Sequence, residues 1–141
     1  MAYWLFQGNP KYYKLRAAMR NFERMSWLVT RYEKDIAPGD GVLVWISGAD
    51  AGIYAIAEVI EPATKLIEVL DIGYWLDKSK IGTRPQAWIR FTTKLLDKPL
   101  LRSHLTKDEV LKDLAMIKNP NQTNFKVSSD RWKRVYELLK E

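Results

Sequence analysis

Residues 36–60 read IAPGDGVLVWISGADAGIYAIAEVI, and this stretch constrains the fold more than any other. Pro38 and Gly39 break the chain into a turn. From Gly41 to Ser47 the composition is that of a strand. Side chains alternate along a strand, so Leu43, Trp45 and Ser47 share one face and Val42, Val44 and Ile46 the other. Five loop residues, Gly48 to Gly52, lead into a second apolar run, Ile53 to Ile60. Two such runs at this separation predict an antiparallel hairpin.

The flanks supply further elements. Tyr3-Trp4-Leu5-Phe6-Gln7 reads as a strand, and Asn9-Pro10 as a helix start. Asn is a favoured N-cap, and Pro is tolerated at the first helical position because its missing N–H has no partner there. Leu15, Ala18, Met19 and Phe22 recur at helical spacing, which predicts a helix over 10–22. A third strand is expected near Leu66–Leu70, running on toward Trp75, and another over Ala87–Thr93. Pro99–Leu105 reads as short helical or irregular structure. Thr106 and Glu109 make a capping box ahead of Val110, Leu114 and Ile117. Asn119–Asn124 reads as a polar loop. Ser128 or Ser129 caps a last helix with the stripe Trp132, Val135, Tyr136 and Leu139. With 141 residues, no internal repeat and no low-complexity linker, one domain over 1–141 is expected. Its class is α+β, a mostly antiparallel, barrel-like sheet with helices at both ends.

Candidates for catalysis are few. There is no cysteine, so disulfides and thiolate metal sites are excluded. The single histidine, His104, reads as a surface or capping residue, with no G-x-S-x-G elbow to serve. Asp35, Asp40 and Asp50 invite a magnesium site, but each is expected in a solvated turn or loop. No phosphate-cradling glycine loop occurs. We therefore expect no catalytic residue, no metal and no cofactor. Neither a signal peptide nor a membrane span is visible, so a soluble cytoplasmic protein is expected.

Charge and aromatic content are more informative. The net charge is +6, divided as +5 over residues 1–34, −7 over 35–77 and +8 over 78–141. Basic surface at both ends is suited to a polyanion. Lys14, Arg16, Arg20 and Arg24 are the candidate phosphate contacts, with Lys126, Arg131, Lys133 and Arg134 as the alternative group. Six Trp, seven Tyr and four Phe are available to stack on an unstacked base. Trp132 and Trp4 are expected in the core. Trp27, after a basic helix, and Trp45, leading into Ser47-Gly48, suit a pocket as well as a core.

Taken in order, YWLFQGNP, Ser26-Trp27, the 36–60 stretch and a Thr-Asn-Phe loop before a Trp-bearing helix resemble an EVE domain over nearly the whole chain. That resemblance implies a PUA-like twisted pseudo-barrel, similar to YTH domains. It implies a non-catalytic module that binds modified DNA or RNA and takes up a flipped, modified base. The pocket walls would fall on Gln7, Gly8 and Asn9, with Tyr12 and Tyr13 beyond, and on Ser26 and Trp27. Trp27 would stack on the base, with Gln7, Asn9 and Ser26 at its edge. Trp45, or Trp88 on a later strand, would close the other side, and Ser47 is a further base-binding candidate. Some EVE domains are fused to restriction nucleases, so a separately encoded nuclease or modification enzyme is the expected protein partner. The alternatives are a PUA-like RNA binder that reads shape, or a binder of small molecules or nucleotides.

Overall fold

The computed structural model describes residues 1–11, 14–64, 85–118 and 122–140. The expected strand at 66–75 lies outside them, as do Tyr12 and Tyr13. Along the chain come β1 (Tyr3–Gly8), α1 (Leu15–Asn21), β2 (Arg24–Leu28), β3 (Gly41–Ile46), β4 (Gly52–Thr64) and β5 (Gln86–Lys94). β6 (Leu100–Leu101), α2 (Arg102–Leu105), α3 (Ala115–Lys118), β7 (Asn124–Val127) and α4 (Ser129–Leu139) complete it.

β3 and β4 form the expected hairpin, paired antiparallel from Gly41↔Glu58 to Ile46↔Gly52, with a bulge between Val44 and Trp45. The sheet extends on both sides of it in the order β2-β5-β4-β3-β1-β7, and β6 pairs with β4. Only β1 and β3 run parallel among the described strands, with Tyr3 opposite Gly41 and Gly8 opposite Ile46.

Both faces of β3 are buried, and they face different layers. Val42, Val44 and Ile46 join Trp4, Phe6, Trp27 and Ile89 in one apolar cluster, which α1 covers with Leu15, Ala18 and Met19. Leu43 and Trp45 join Leu5, Leu105, Leu111, Leu114 and Val135 in a second. This two-sided burial follows from the uninterrupted apolar run and fixes the register, since a one-residue slip would exchange the clusters.

The sheet curls until its edges meet. Asn124 on β7 is fully buried, and its side chain does the joining. Its Oδ1 accepts from Thr30 N at 2.7 Å, and its Nδ2 donates to the Leu28 carbonyl at 3.1 Å. One amide thus satisfies a donor and an acceptor on the chain leaving β2, which makes the twisted sheet a pseudo-barrel. The residue expected in a polar loop instead begins a strand and clasps the barrel.

Other expectations need correction. The first helix begins at Leu15, and its N-cap is Lys14 with no side-chain cap. Asn9 closes a local turn, its Oδ1 accepting from Lys11 N at 2.9 Å. An Asn-Pro pair serves an Asx turn as readily as a helix start. Trp27, expected just after a basic helix, instead lies within strand β2, paired with β5 from Arg24↔Arg90 to Leu28↔Gln86. Thr106 opens no helix; it is the C-cap of α2, its N–H donating to the Arg102 carbonyl at 3.0 Å. The helix expected from Val110 is a run of turns ahead of α3, in which Asp108 accepts from Val110 N at 3.0 Å and Leu111 N at 3.1 Å, while Arg134 of α4 binds its other oxygen at 2.9 Å. Asp40 is buried instead of solvated. It accepts from Trp4 Nε1 at 2.9 Å and from the backbone N–H groups of Ala2 and Ala37, each at 3.0 Å. Ser128 does cap α4, through Arg131 N at 3.3 Å.

Candidate nucleic-acid interface

The strand-to-helix corner that opens the sequence sits where β1 and β3 end side by side. Gly8 is glycine there for a steric reason. A Cβ on it would lie 2.7 and 2.9 Å from the Leu15 methyl groups and 2.9 Å from Trp27 Cζ2. The indole of Trp27 therefore packs directly against the backbone of the corner. Its Nε1 donates to the Gln7 carbonyl at 3.2 Å. Gln7 is anchored further, its N–H to the Thr123 carbonyl at 2.8 Å and its Nε2 to the Gln122 carbonyl at 2.5 Å. Ser47, just past β3, donates through N at 3.0 Å and through Oγ at 3.3 Å to the Gly8 carbonyl. A hydroxyl that donates once still has lone pairs to offer.

A second group stands beside the corner. Tyr54 is 3% exposed. Its hydroxyl donates to the Asp50 carbonyl at 2.6 Å and accepts from Arg16 Nη2 at 3.0 Å. The Arg16 guanidinium also lies 4.9 Å from the centre of the Tyr54 ring. One phenol thereby ties α1 to the 47–51 loop and holds a cation whose side chain is otherwise exposed. Tyr54 was not foreseen as a site residue; its only signal was its place in the Gly-Ile-Tyr run.

The structure does not gather the expected residues into one pocket. Gln7, Gly8, Asn9, Trp27 and Ser47 meet at the corner. Trp27, however, is only 5% exposed and belongs to the core cluster with Leu15 and Phe6. Trp45 is fully buried in the other cluster, on the opposite face of the sheet, and its Nε1 has no partner. Ser26 and Trp88 are paired across β2 and β5, one residue out of step with Trp27 and Ala87. Strand alternation turns them to the outer face, away from Trp27. Trp27 cannot share one cage with Trp45 or Trp88 in this arrangement. The basic residues also divide. Lys14 is exposed at the start of α1. Arg20 reaches Asp97 at 3.3 Å, an exposed pair. Arg24 lies 5.6 Å from the Trp88 ring on the outer face.

Two carboxylates have perturbed titration. Burial acts to raise the Asp40 pKa, but hydrogen bonds from Trp4, Ala2 and Ala37 outweigh it and the value is lowered. Asp108 is lowered too, chiefly by the hydrogen bond from Arg134, against the pull of burial. Neither lies at the corner. Among the described residues no group of three or more His, Asp or Glu side chains is placed to hold a metal ion, and no helix is long and apolar enough to cross a membrane.

A twisted, mostly antiparallel pseudo-barrel, closed by helices and carrying a strand-to-helix corner of this kind, defines a PUA-like domain. The chain matches the EVE domain family over residues 2–138, and it belongs to that family. Solved structures agree in fold. A hypothetical protein from Leishmania major superposes with a TM-score of 0.75 at 19% identity, over 98% of this chain and 94% of its own. Human THYN1 in complex with DNA containing 5-methylcytosine gives 0.74 at 10% identity, over 100% and 99%. The YTH domain of Zygosaccharomyces rouxii MRB1, in complex with N6-methyladenosine RNA, gives 0.60 at 13% identity, over 99% and 85%. A search of curated protein sequences gave no match.

Proposed function

We propose that this chain is a non-catalytic module that binds nucleic acid and accepts one flipped, modified base at the end of β1. The observation that carries the reading is the corner itself. Backbone and indole are packed together by Gly8, while Ser47 Oγ keeps acceptor capacity and the Asn9 amide nitrogen donor capacity. Two proteins of like fold hold nucleic acid with a methylated base, one DNA and one RNA. In this reading Trp27 forms the inner wall, Ser47 and Asn9 meet the base edge, and Arg16, aligned by Tyr54, meets a phosphate. Unstacking a base costs a few kcal/mol, and stacking plus edge contacts must offset that cost.

A second reading has its own support. The burial of Trp27 favours a PUA-like RNA binder that reads shape, with the aromatics mainly structural. Titration of the chain with single-stranded oligonucleotides separates the two. DNA with 5-methylcytosine, RNA with N6-methyladenosine and their plain counterparts are compared at fixed salt. Tighter binding of one modified strand is expected, by about tenfold or more, the equivalent of one good stack and contact at about 1–3 kcal/mol. Equal affinity for modified and plain strands would establish shape recognition instead. Binding of the free modified nucleoside with no gain from a strand would identify a small-molecule binder.

A further inference from the structure

Tyr32 is the one non-glycine among the described residues with positive φ, at 61°. Such a conformation costs about 1–3 kcal/mol for a bulky residue, so the surroundings must enforce it. They do. Asn124 Oδ1 accepts from Thr30 N and, at 3.4 Å, from Arg31 N. The Tyr32 carbonyl accepts from Asp35 N at 2.9 Å and Ile36 N at 3.0 Å. The result is that the ring of Tyr32 lies over the seam of the barrel, 5.2 Å from the Trp4 ring.

Two cations converge on that ring. The Arg31 guanidinium is 4.8 Å from its centre and the Lys126 ammonium 5.0 Å. Arg31 Nη2 also donates to the Tyr32 hydroxyl at 2.9 Å, and its Nη1 bonds the Gln122 side chain. Neither cation has a carboxylate within ion-pair distance among the described residues, although Glu33 and Asp35 stand exposed in the same turn. Lys126 also stands on the wall of a cavity of about 440 Å³, with Tyr3, Trp4, Asp35 and Ser129 among its other lining residues. The seam is continuous with the corner: Gln122, which Arg31 holds, accepts from Gln7 through its carbonyl. Lys126 pairs with Trp4, three residues back along β1, about 10 Å at strand spacing.

We propose that Arg31, Tyr32 and Lys126 form a strand-binding track, with the two cations on successive phosphates of the single strand that leads away from the base at the β1 corner. The proposal rests on the base-binding reading above. A half-buried ring held by a strained turn fixes two otherwise flexible cations, so less freedom is lost when a phosphodiester binds. Three cations, Arg31, Lys34 and Lys126, face two carboxylates in this region, so direct contact rather than a long-range field must supply the affinity.

The test compares the wild-type chain with Arg31→Gln/Lys126→Gln, two exposed positions, after circular dichroism and melting confirm the fold. Ligands are a single-stranded oligonucleotide with a methylated base, its plain counterpart, and the free methylated nucleoside. The double variant should bind the oligonucleotide about tenfold more weakly near 0.1 M salt. Its slope of log K against log salt should be flatter by about 1.4, two contacts at about 0.7 each. Nucleoside binding should be unchanged. An oligonucleotide affinity and slope equal to wild type would overturn the track and leave the base reading standing. Weaker binding of methylated and plain strands alike, with no preference between them in wild type, would support the track while the base reading fails. Absence of any oligonucleotide binding by wild type would overturn both.

Discussion

The two ends of β1 are built on opposite principles. At its start, Trp4 and Asp40 make a closed polar knot. A buried carboxylate meets three donors, one indole and two backbone N–H groups, all between 2.9 and 3.0 Å. At its end, Gln7, Gly8 and Ser47 are tightly packed, yet Ser47 Oγ and the Asn9 amide keep unused hydrogen-bonding capacity. The closed end is suited to holding β1 against the 37–40 turn. The open end is suited to receiving something. The six residues of β1 thus join a closed end to an open one, and if the open end is the proposed base site, substitutions should separate stability from recognition.

The largest effect should come from the closed end. Asp40→Ala removes three hydrogen bonds to a carboxylate, one buried and two part-buried, and should cost about 4 kcal/mol of stability, given about 1.5–3 kcal/mol per hydrogen bond to a charged group. Where enough folded protein remains, the preference for a methylated over a plain strand should be unchanged. Loss of that preference at temperatures where the variant is folded would show that the two ends are coupled. Asp40 at this end, together with Asp108 beside α4, should govern acid sensitivity. Both Asp40 and Asp108 have pKa values lowered by folding. Their contribution is complete above the ordinary carboxylate value and is lost as pH falls through the folded one. Melting temperature should therefore drop below about pH 4. Asp40→Asn and Asp108→Asn should each make that acid-side fall shallower; an unchanged profile in both would place the sensitivity elsewhere.

Next comes the packing beneath the open end. Because Trp27 is core, Trp27→Ala should cost about 3–5 kcal/mol of stability, the range for a large aromatic truncation. Gly8→Ala should cost about 1–3 kcal/mol through overpacking against Leu15 and Trp27. It should also abolish the methylated-base preference by moving the indole. A Gly8→Ala variant of native stability and native preference would mean that the corner is looser than its packing indicates.

What could be read in advance divides along similar lines. The faces of β3 were legible because strand alternation is local, and the apolar run from Val42 to Ile46 carries it. The class of fold was legible from the order of motifs. The role of Asp40 was not, because its main partner, Trp4, lies 36 residues away. A Pro-Gly-Asp turn looks the same whether its carboxylate meets water or an indole. In sequence Asn124 reads as loop for the same reason: its acceptor and donor lie on the chain leaving β2, 96 and 94 residues away. The separation of Ser26 and Trp88 from Trp27 was legible in principle. Met25-Ser26-Trp27-Leu28-Val29 has strand composition, and adjacent strand residues must face opposite ways. The basic helix just ahead of Trp27 obscures that alternation in the sequence.

A smaller effect should follow from Tyr54→Phe. The ring stays, so packing should survive. The hydroxyl that ties Arg16 to the Asp50 carbonyl is lost, which should cost about 1 kcal/mol of stability. Strand affinity should fall by a few-fold as Arg16 loses its alignment, with nucleoside affinity unchanged. Equal losses for strand and nucleoside would move Tyr54 from the phosphate side to the base itself.

The smallest change in stability should come from Asn9→Ala, and it sharpens the contrast most. As a helix N-cap, Asn9 would be worth about 1 kcal/mol. In the structure it caps no helix; α1 starts at Leu15, and Asn9 holds only an exposed turn through Lys11 N. Its loss should therefore move the melting temperature by little, a few tenths of a kcal/mol at an exposed surface position. The amide nitrogen is what the open end stands to lose. If it meets a base edge, Asn9→Ala lowers affinity for the methylated strand, and Asn9→Asp, which keeps the turn acceptor but removes the amide donor, lowers it as much. If Asn9→Asp binds as wild type does, the turn alone matters, and the edge contact at this corner falls to Ser47.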